Sequence, residues 1–169
     1  MDVVDGILDQ WAIARPDLDV RAMGPVGRLG RIAHHFSVKM GATFAEFGLN
    51  AAGFDVLATL RRSDPPHALA AGDLMTSMMI TSGTMTNRID QLEKSGLVER
   101  GADPADGRRT LIRLTPKGFA LIDQVVERHV ATQESLLSIL SESEIRDLDA
   151  LLKTMLIKLE AAPSKPDVP

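Results

Sequence analysis

The β-prone residues of this 169-residue chain are concentrated in one stretch, residues 97–114, whereas apolar residues elsewhere recur at intervals of three and four. Such intervals are typical of amphipathic helices. Within the stretch, Leu97–Arg100 and Arg109–Leu114 predict two short strands, and the connection over residues 101–108 is rich in turn-forming residues. We therefore expect a mainly α-helical fold that carries one small two-stranded β-ribbon.

Helices are predicted on both sides of the ribbon from apolar periodicity and from residues that cap or end helices. Their expected ranges are residues 3–14, 25–47, 51–62, 69–77, 84–94, 116–140 and, after a capping box at 141–144, the segment up to residue 160. Asn50, Thr115 and Ser141 are expected to cap helix N-termini, and Gly48 is expected to end the second helix. The tail over residues 161–169 contains three prolines and is expected to be disordered.

Charge is unevenly distributed along the chain. The whole sequence carries 19 Lys and Arg against 23 Asp and Glu, which gives a formal net charge of -4. Residues 82–117 carry seven basic and five acidic groups, whereas residues 118–169 carry five basic and nine acidic groups. A short basic stretch on an acidic body can contact phosphates locally, although charge alone favours an ordinary solvated surface.

Several classes of protein are excluded by features that the sequence lacks. Without cysteine, the chain has no disulfides, thiol redox switches or thiolate metal sites. Its apolar runs are too short for a transmembrane span, and its first residues are acidic where a signal peptide is basic, so we expect a soluble, cytoplasmic protein. The four histidines have no metal-ligand spacing and are interpreted as structural or solvent-facing. Because no Gly-rich phosphate loop or nucleophile elbow is present, we expect neither an enzyme nor a bound cofactor.

Two short helices separated by a tight turn directly precede the ribbon, an order typical of winged helix-turn-helix proteins. The second of these helices carries side chains that can hydrogen-bond to base edges in the major groove of DNA. The arginines at the turn of the ribbon are suited to the negative potential of the minor groove. The residues predicted to contact DNA are Ser82, Thr84, Thr86, Asn87, Arg88, Gln91, Arg108 and Arg109.

Several local signatures occur in the order found in the MarR family of transcriptional regulators, which the sequence resembles from about residue 49 to residue 121. They are Phe54–Leu57, Ser82–Glu93, Gly96–Arg100, Asp106–Arg109 and Leu114–Gly118. The resemblance implies a homodimer with two winged lobes on a pseudo-palindromic operator, and repression that a small ligand relieves. It assigns residues 1–48 and 116–160 to a helical dimerisation region and residues 49–115 to the DNA-binding lobe. It also implies an ion pair in the wing between Asp106 and Arg108.

The N-terminal extension narrows the resemblance to a urate-responsive subgroup of that family, the PecS and HucR type. In that subgroup one pocket is lined by a Trp of the first helix, an Asp before the helix-turn-helix, an Arg of the recognition helix and an Arg of the first wing strand. The matching residues here are Trp11, Asp55, Arg88 and Arg100. The resemblance therefore implies that a small planar anion such as urate is the ligand.

The chemistry of these four side chains is suited to such a ligand. An indole ring can stack on a planar purine, and guanidinium groups can donate charge-assisted hydrogen bonds to its anionic atoms. An unpaired charge on Asp55 is costly in a largely apolar helix, so we expect Asp55 to pair with Arg88 until the anion competes for that arginine.

Other interpretations of the same residues stay open. Trp11 is also suited to a hydrophobic core, Arg88 to a phosphate contact and Arg100 to an ion pair with a neighbouring acid. A different phenolic or carboxylate ligand could use the same groups, and the regulator could act as an activator. His35, on the long second helix, is a further candidate for the pocket and would add sensitivity to pH.

Overall fold

The computed structural model describes residues 1–78, 82–104, 106–107 and 109–161. Its elements in chain order are α1 (Val3–Ala14), α2 (Met23–Ala45), α3 (Ala51–Arg62), β1 (Ala68–Ala70), α4 (Ala71–Met78), α5 (Ser82–Lys94), β2 (Val98–Ala102), β3 (Thr110–Leu114), α6 (Pro116–Leu137) and α7 (Glu142–Ala161). The mainly helical fold predicted from the sequence is confirmed. Of the tail predicted to be disordered, residues 162–169 lie outside the described residues. Among the helices that are described, none combines the length and the apolar composition needed to cross a bilayer.

The sheet has three antiparallel strands in the order β1-β3-β2, so the predicted two-stranded ribbon is wrong in its number of strands. The additional strand, Ala68–Ala70, pairs with Leu111–Arg113 of β3. The helix predicted to begin at Leu69 accordingly begins at Ala71, after this strand. A three-residue strand is too short to show alternation of apolar and polar residues, and alanine favours a helix, which explains the error.

Three helices are capped at the residues predicted from the sequence. At the start of α3, the Asn50 side chain accepts a hydrogen bond from the backbone N–H of Gly53 (2.8 Å). At the start of α7, the backbone N–H of Ser141 donates to the Glu144 carboxylate (2.8 Å). Thr115 caps α6 with its hydroxyl oxygen in the same way as Asn50. Each of these pairs spans three residues, so local sequence is sufficient to predict it.

The chain divides into two compact units, Met1–Thr132 and Gln133–Pro169. In the first unit, buried apolar side chains of α3, α4, α5, the sheet and α6, together with Phe44 of α2, form one core. Its most completely buried large residues are Val56, Leu57, Leu60, Leu74, Met85, Val98, Ile112, Ile122 and Val125. This core holds α5 and the β2–β3 hairpin on one lobe.

Helices α1 and α2 of the first unit expose many large apolar side chains. These include Val3, Ile7, Trp11, Ile13, Val26, Leu29, Ile32 and Val38. In the second unit, α7 has no buried residue along its described length. Its exposed apolar residues are Leu148, Leu151, Leu152, Met155, Leu156, Ile157 and Leu159. Apolar surface on this scale is unusual for a chain that stays alone in water.

Candidate nucleic-acid interface and ligand cavity

Helix α5 presents an apolar face to the core and polar side chains to solvent. Met85, Ile89 and Leu92 are at most 5% exposed and pack with the other core residues. The exposed polar residues of this helix that were predicted to contact DNA are Thr84, Thr86, Asn87 and Gln91. The side chain of Ser82 lies outside the described part of the chain. Since the apolar face anchors the helix, its hydroxyl and amide groups can meet base edges without loss of core contacts.

The β2–β3 hairpin follows α5 directly and occupies the position of the predicted wing. Arg109, at its turn, donates to the carboxylate of Asp73 in the first turn of α4 (3.3 Å). This ion pair is exposed and therefore weak, so Arg109 can exchange it for a phosphate. Arg108 lies outside the described residues, and so does the ion pair predicted between Arg108 and Asp106.

Asp55 of α3 and Arg88 of α5 interact electrostatically. Partial burial raises the pKa of Asp55, while the positive charges of Arg88, Arg62 and His129 oppose this rise. Within the described part of the chain, Arg88 forms no ion pair and no side-chain hydrogen bond. Asp55 and Arg88, which were predicted to form a pair, therefore attract each other at longer range. The N–H donors of the Arg88 guanidinium are left for another acceptor.

Arg100 of β2 is paired with acids of α5. Its guanidinium donates to the carboxylates of Asp90 (2.5 Å) and Glu93, and the backbone N–H of Arg100 donates to Glu93 as well (3.2 Å). The hydrogen bond to Asp90 raises the pKa of Arg100. These contacts join the first strand of the hairpin to the helix predicted to read DNA.

A cavity of about 360 Å³ opens between the loop before α3, the C-terminal half of α5 and the start of α6. It is lined by Phe47, Gly48, Leu49, Asn50, Gly53, Arg88, Gln91, Leu92, Ser95, Leu97, Lys117 and Leu121. Two of these described lining residues, Arg88 and Lys117, are cationic, and none is acidic. The volume lies in the range of small-molecule sites.

The four residues predicted to form one ligand pocket are not gathered in this cavity. Arg88 lines it, whereas Trp11, Asp55 and Arg100 do not. Trp11 lies on α1 and is 40% exposed, among the apolar residues that the single chain leaves uncovered. Of the four residues in the predicted pocket, Arg88 is therefore the one that also lines the observed cavity.

Sequence reasoning missed the packing of His129 on α6. Its ring lies against Phe44 and Phe54, with centroid distances of 5.6 and 4.7 Å. Burial lowers the pKa of His129, and its Nδ1 atom is buried without a hydrogen-bond partner among the described residues. The signal that could have found it is its place on the buried face of α6, four residues after Val125.

Comparison with known proteins gives consistent matches over most of the chain. Residues 49–110 match the model of the MarR family. The chain is 41% identical to the HTH-type transcriptional regulator PecS of Dickeya dadantii, over 88% of this chain and 90% of that protein. It is similar to a mutant of MarR from E. coli complexed with operator DNA, with 26% identity, a TM-score of 0.70 and coverage of 81% and 97% of the two chains.

A third similar protein is BpsR of Bordetella bronchiseptica, whose structure concerns the regulation of its DNA binding by 6-hydroxynicotinic acid. It shows 29% identity and a TM-score of 0.66, and the match covers 76% of this chain and 90% of BpsR. The similarity therefore extends to a protein in which a small aromatic acid regulates DNA binding.

Proposed function

Since this chain belongs to the MarR family of transcriptional regulators, we propose that it binds a pseudo-palindromic operator in the cytoplasm as a homodimer and is released by a small anion. The protein is a DNA-binding transcriptional regulator of the MarR and PecS type and not an enzyme. Operator DNA is bound by the similar E. coli protein, and the proposal extends the same kind of partner to this chain.

The main support for the proposed DNA contact is that α5 has one buried apolar face and one exposed polar face. Its apolar residues anchor it in the core, and Thr84, Thr86, Asn87 and Gln91 lie on its exposed face, as contact with base edges requires. Ser82, Arg88, Arg108 and Arg109 complete the proposed interface, with the arginines on phosphates or in the minor groove. Docking of one such helix in each of two successive major grooves requires two copies of the lobe.

The homodimer is supported by the apolar surfaces of α1, α2 and α7. In a second copy of this chain, the same helices supply a matching apolar surface, as an isologous interface requires. We assign residues 1–48 and 116–160 to this dimerisation region and residues 49–115 to the DNA-binding lobe. Nine acidic and five basic groups over residues 118–169 suit a region that stays away from the phosphates.

The proposed ligand is a planar anion of the urate type. The position of Arg88 supports an anionic ligand. This half-buried arginine lines a cavity and has no acidic partner in direct contact. It is also attracted to Asp55, with which a bound anion would compete. Trp11 and Arg100 are proposed to join the site in the dimer, the first by stacking and the second by hydrogen bonding. The regulation of BpsR by 6-hydroxynicotinic acid supports a planar aromatic anion, so a carboxylate or phenolic ligand is the second candidate.

The proposal is tested with the purified protein and the DNA upstream of its own gene. We expect tight binding that weakens steeply with salt, and release of the DNA on addition of urate. Fluorescence anisotropy of the labelled DNA measures both effects, and random DNA of the same length is the control. Equal affinity for the two DNAs would contradict operator binding, and binding that urate leaves unchanged would contradict the urate-type ligand.

A further inference from the structure

We infer that the cavity between α5 and the start of α6 binds the anionic group of the effector, with Lys117 as a second cationic partner beside Arg88. This inference rests on the proposed response to a small anion. It adds the place where the anion binds and a residue outside the set of four that the sequence predicts.

The charge of the cavity favours an anion. Arg88 and Lys117 are its two charged lining residues, and the described lining contains no carboxylate that would neutralise them. Arg88 has no ion pair or side-chain hydrogen bond in the described structure. Lys117 donates one hydrogen bond, to the backbone carbonyl of Ser95 (2.8 Å), which leaves its other N–H donors available.

The remaining lining fits a planar ring with polar edges. Leu92, Leu97 and Leu121 provide apolar surface for the faces of a ring. Gln91 and Ser95 add an amide and a hydroxyl for its edge atoms. A small aromatic anion would thus be held by charge on one side and by apolar contact on the other.

The position of the cavity connects binding to the release of DNA. Arg88 and Gln91 belong to α5 and are also predicted to contact DNA, whereas Lys117 belongs to α6. An anion held between Arg88 and Lys117 keeps the arginine inside the cavity and away from a phosphate. The same event weakens the attraction between Arg88 and Asp55, because the arginine then interacts with the ligand.

Three variants of the full chain test this assignment. Lys117→Gln removes the charge and keeps a donor for the Ser95 carbonyl, and Lys117→Arg keeps the charge. Lys94→Gln is the matched control, since Lys94 is an exposed cation at the end of α5 that does not line the cavity. Calorimetric titration with urate, without DNA, measures binding, and circular dichroism checks that each variant is folded.

We expect Lys117→Gln to weaken urate binding about tenfold, Lys117→Arg to stay within about threefold of the wild type, and Lys94→Gln to have no effect. DNA binding by Lys117→Gln without urate should change by less than about threefold. Wild-type urate affinity in Lys117→Gln would overturn the assignment and leave the proposed function intact. An equal loss of urate affinity in Lys117→Gln and Lys94→Gln would also overturn the assignment, because it would reflect the net charge of the protein alone.

The same variants distinguish a free anion from the phosphates of DNA as the occupant. If Lys117→Gln weakens DNA binding and lowers its salt dependence while urate binding is unchanged, Lys117 is a phosphate contact and the inference is wrong. A wild-type protein that binds no urate at all would contradict the urate-type ligand and the cavity assignment together. That failure is recognised in the wild type, before any variant is compared.

Discussion

The guanidinium of Arg100 on β2 lies 2.5 Å from the Asp90 carboxylate on α5 and also contacts Glu93, three residues further along that helix. The first strand of the wing is thereby joined to the helix that is proposed to read DNA. A substitution at Arg100 therefore removes contacts between the two elements that are proposed to contact the operator. Because Arg100 is also proposed to bind the ligand, its ion pairs and its ligand contact compete for one guanidinium.

Asp90→Asn and Arg100→Gln separate these two roles. Both substitutions weaken the α5–β2 contact, and we expect each to lower the free energy of unfolding by about 0.5 kcal/mol, because the pair is partly exposed. Only Arg100→Gln also removes a proposed ligand donor, so it alone should weaken urate binding, by about tenfold. Urea unfolding and calorimetric titration measure the two quantities. Equal urate affinities in the two variants would restrict Arg100 to a structural role.

Arg108→Ala and Asn87→Ala are expected to affect DNA binding differently. An arginine that contacts phosphate or the minor groove binds DNA of any sequence. Arg108→Ala should therefore lower the affinity for operator and random DNA alike and reduce the slope of the salt dependence of binding by about one. An amide on a base edge discriminates sequences, so Asn87→Ala should lower the ratio of operator to random affinity, at a cost of about 1–3 kcal/mol. Anisotropy titrations with both DNAs check this, and the same change of ratio in both variants would rule out the division of roles.

Sequence alone predicts the features that depend on neighbouring residues. Asn50 and Ser141 cap their helices through partners three residues away, and the apolar stripe of α5 follows from local spacing. Contacts between residues that are distant in the chain are not predicted in this way, because a local pattern does not indicate which charged residues come together in the fold. Arg88 and Lys117 are 29 residues apart and share a cavity only through the packing of α5 against the start of α6.

The strand β1 and the surroundings of His129 were missed for a related reason. Ala68–Ala70 becomes a strand because β3 offers it a partner edge, whereas its own three residues favour a helix. His129 is half-buried because α6 turns it towards Phe44 and Phe54, which come from two other helices. In both cases the tertiary partner decides the outcome.

Trp11 is the only tryptophan of the chain, so its fluorescence reports on one position. It is 40% exposed in the single chain, and stacking on a bound purine would reduce its contact with water. We expect its emission to change on titration with urate over the same range that releases DNA, after correction for absorbance by urate. Emission that is constant over that range would remove Trp11 from the ligand site.

The lowered pKa of His129 predicts a pH-dependent step in stability. Burial lowers this pKa below 6.5, so the unfolded chain binds the proton more tightly than the folded chain does. The free energy of unfolding should therefore fall as the pH decreases from about 6.5 and should level off below the folded-state pKa. Urea unfolding between about pH 5 and pH 8 should show this step in the wild type and in His34→Gln, an exposed control, but not in His129→Leu. A step that persists in His129→Leu would assign it to another group.

Thr59 and Thr43 are both buried, with 3% and 4% exposure, but their hydroxyl groups differ in hydrogen bonding. Thr43 Oγ1 bonds to the Lys39 carbonyl (3.2 Å) and to the hydroxyl of Thr132 (2.9 Å), whereas Thr59 Oγ1 has no partner in the described structure. Thr59→Val removes an unsatisfied polar group and should raise the free energy of unfolding by about 1 kcal/mol, while Thr43→Val breaks made hydrogen bonds and should lower it by about 1 kcal/mol. Urea unfolding of the two variants measures the difference. Destabilisation by Thr59→Val would contradict the prediction and would be expected if the hydroxyl bonds to an ordered water in solution.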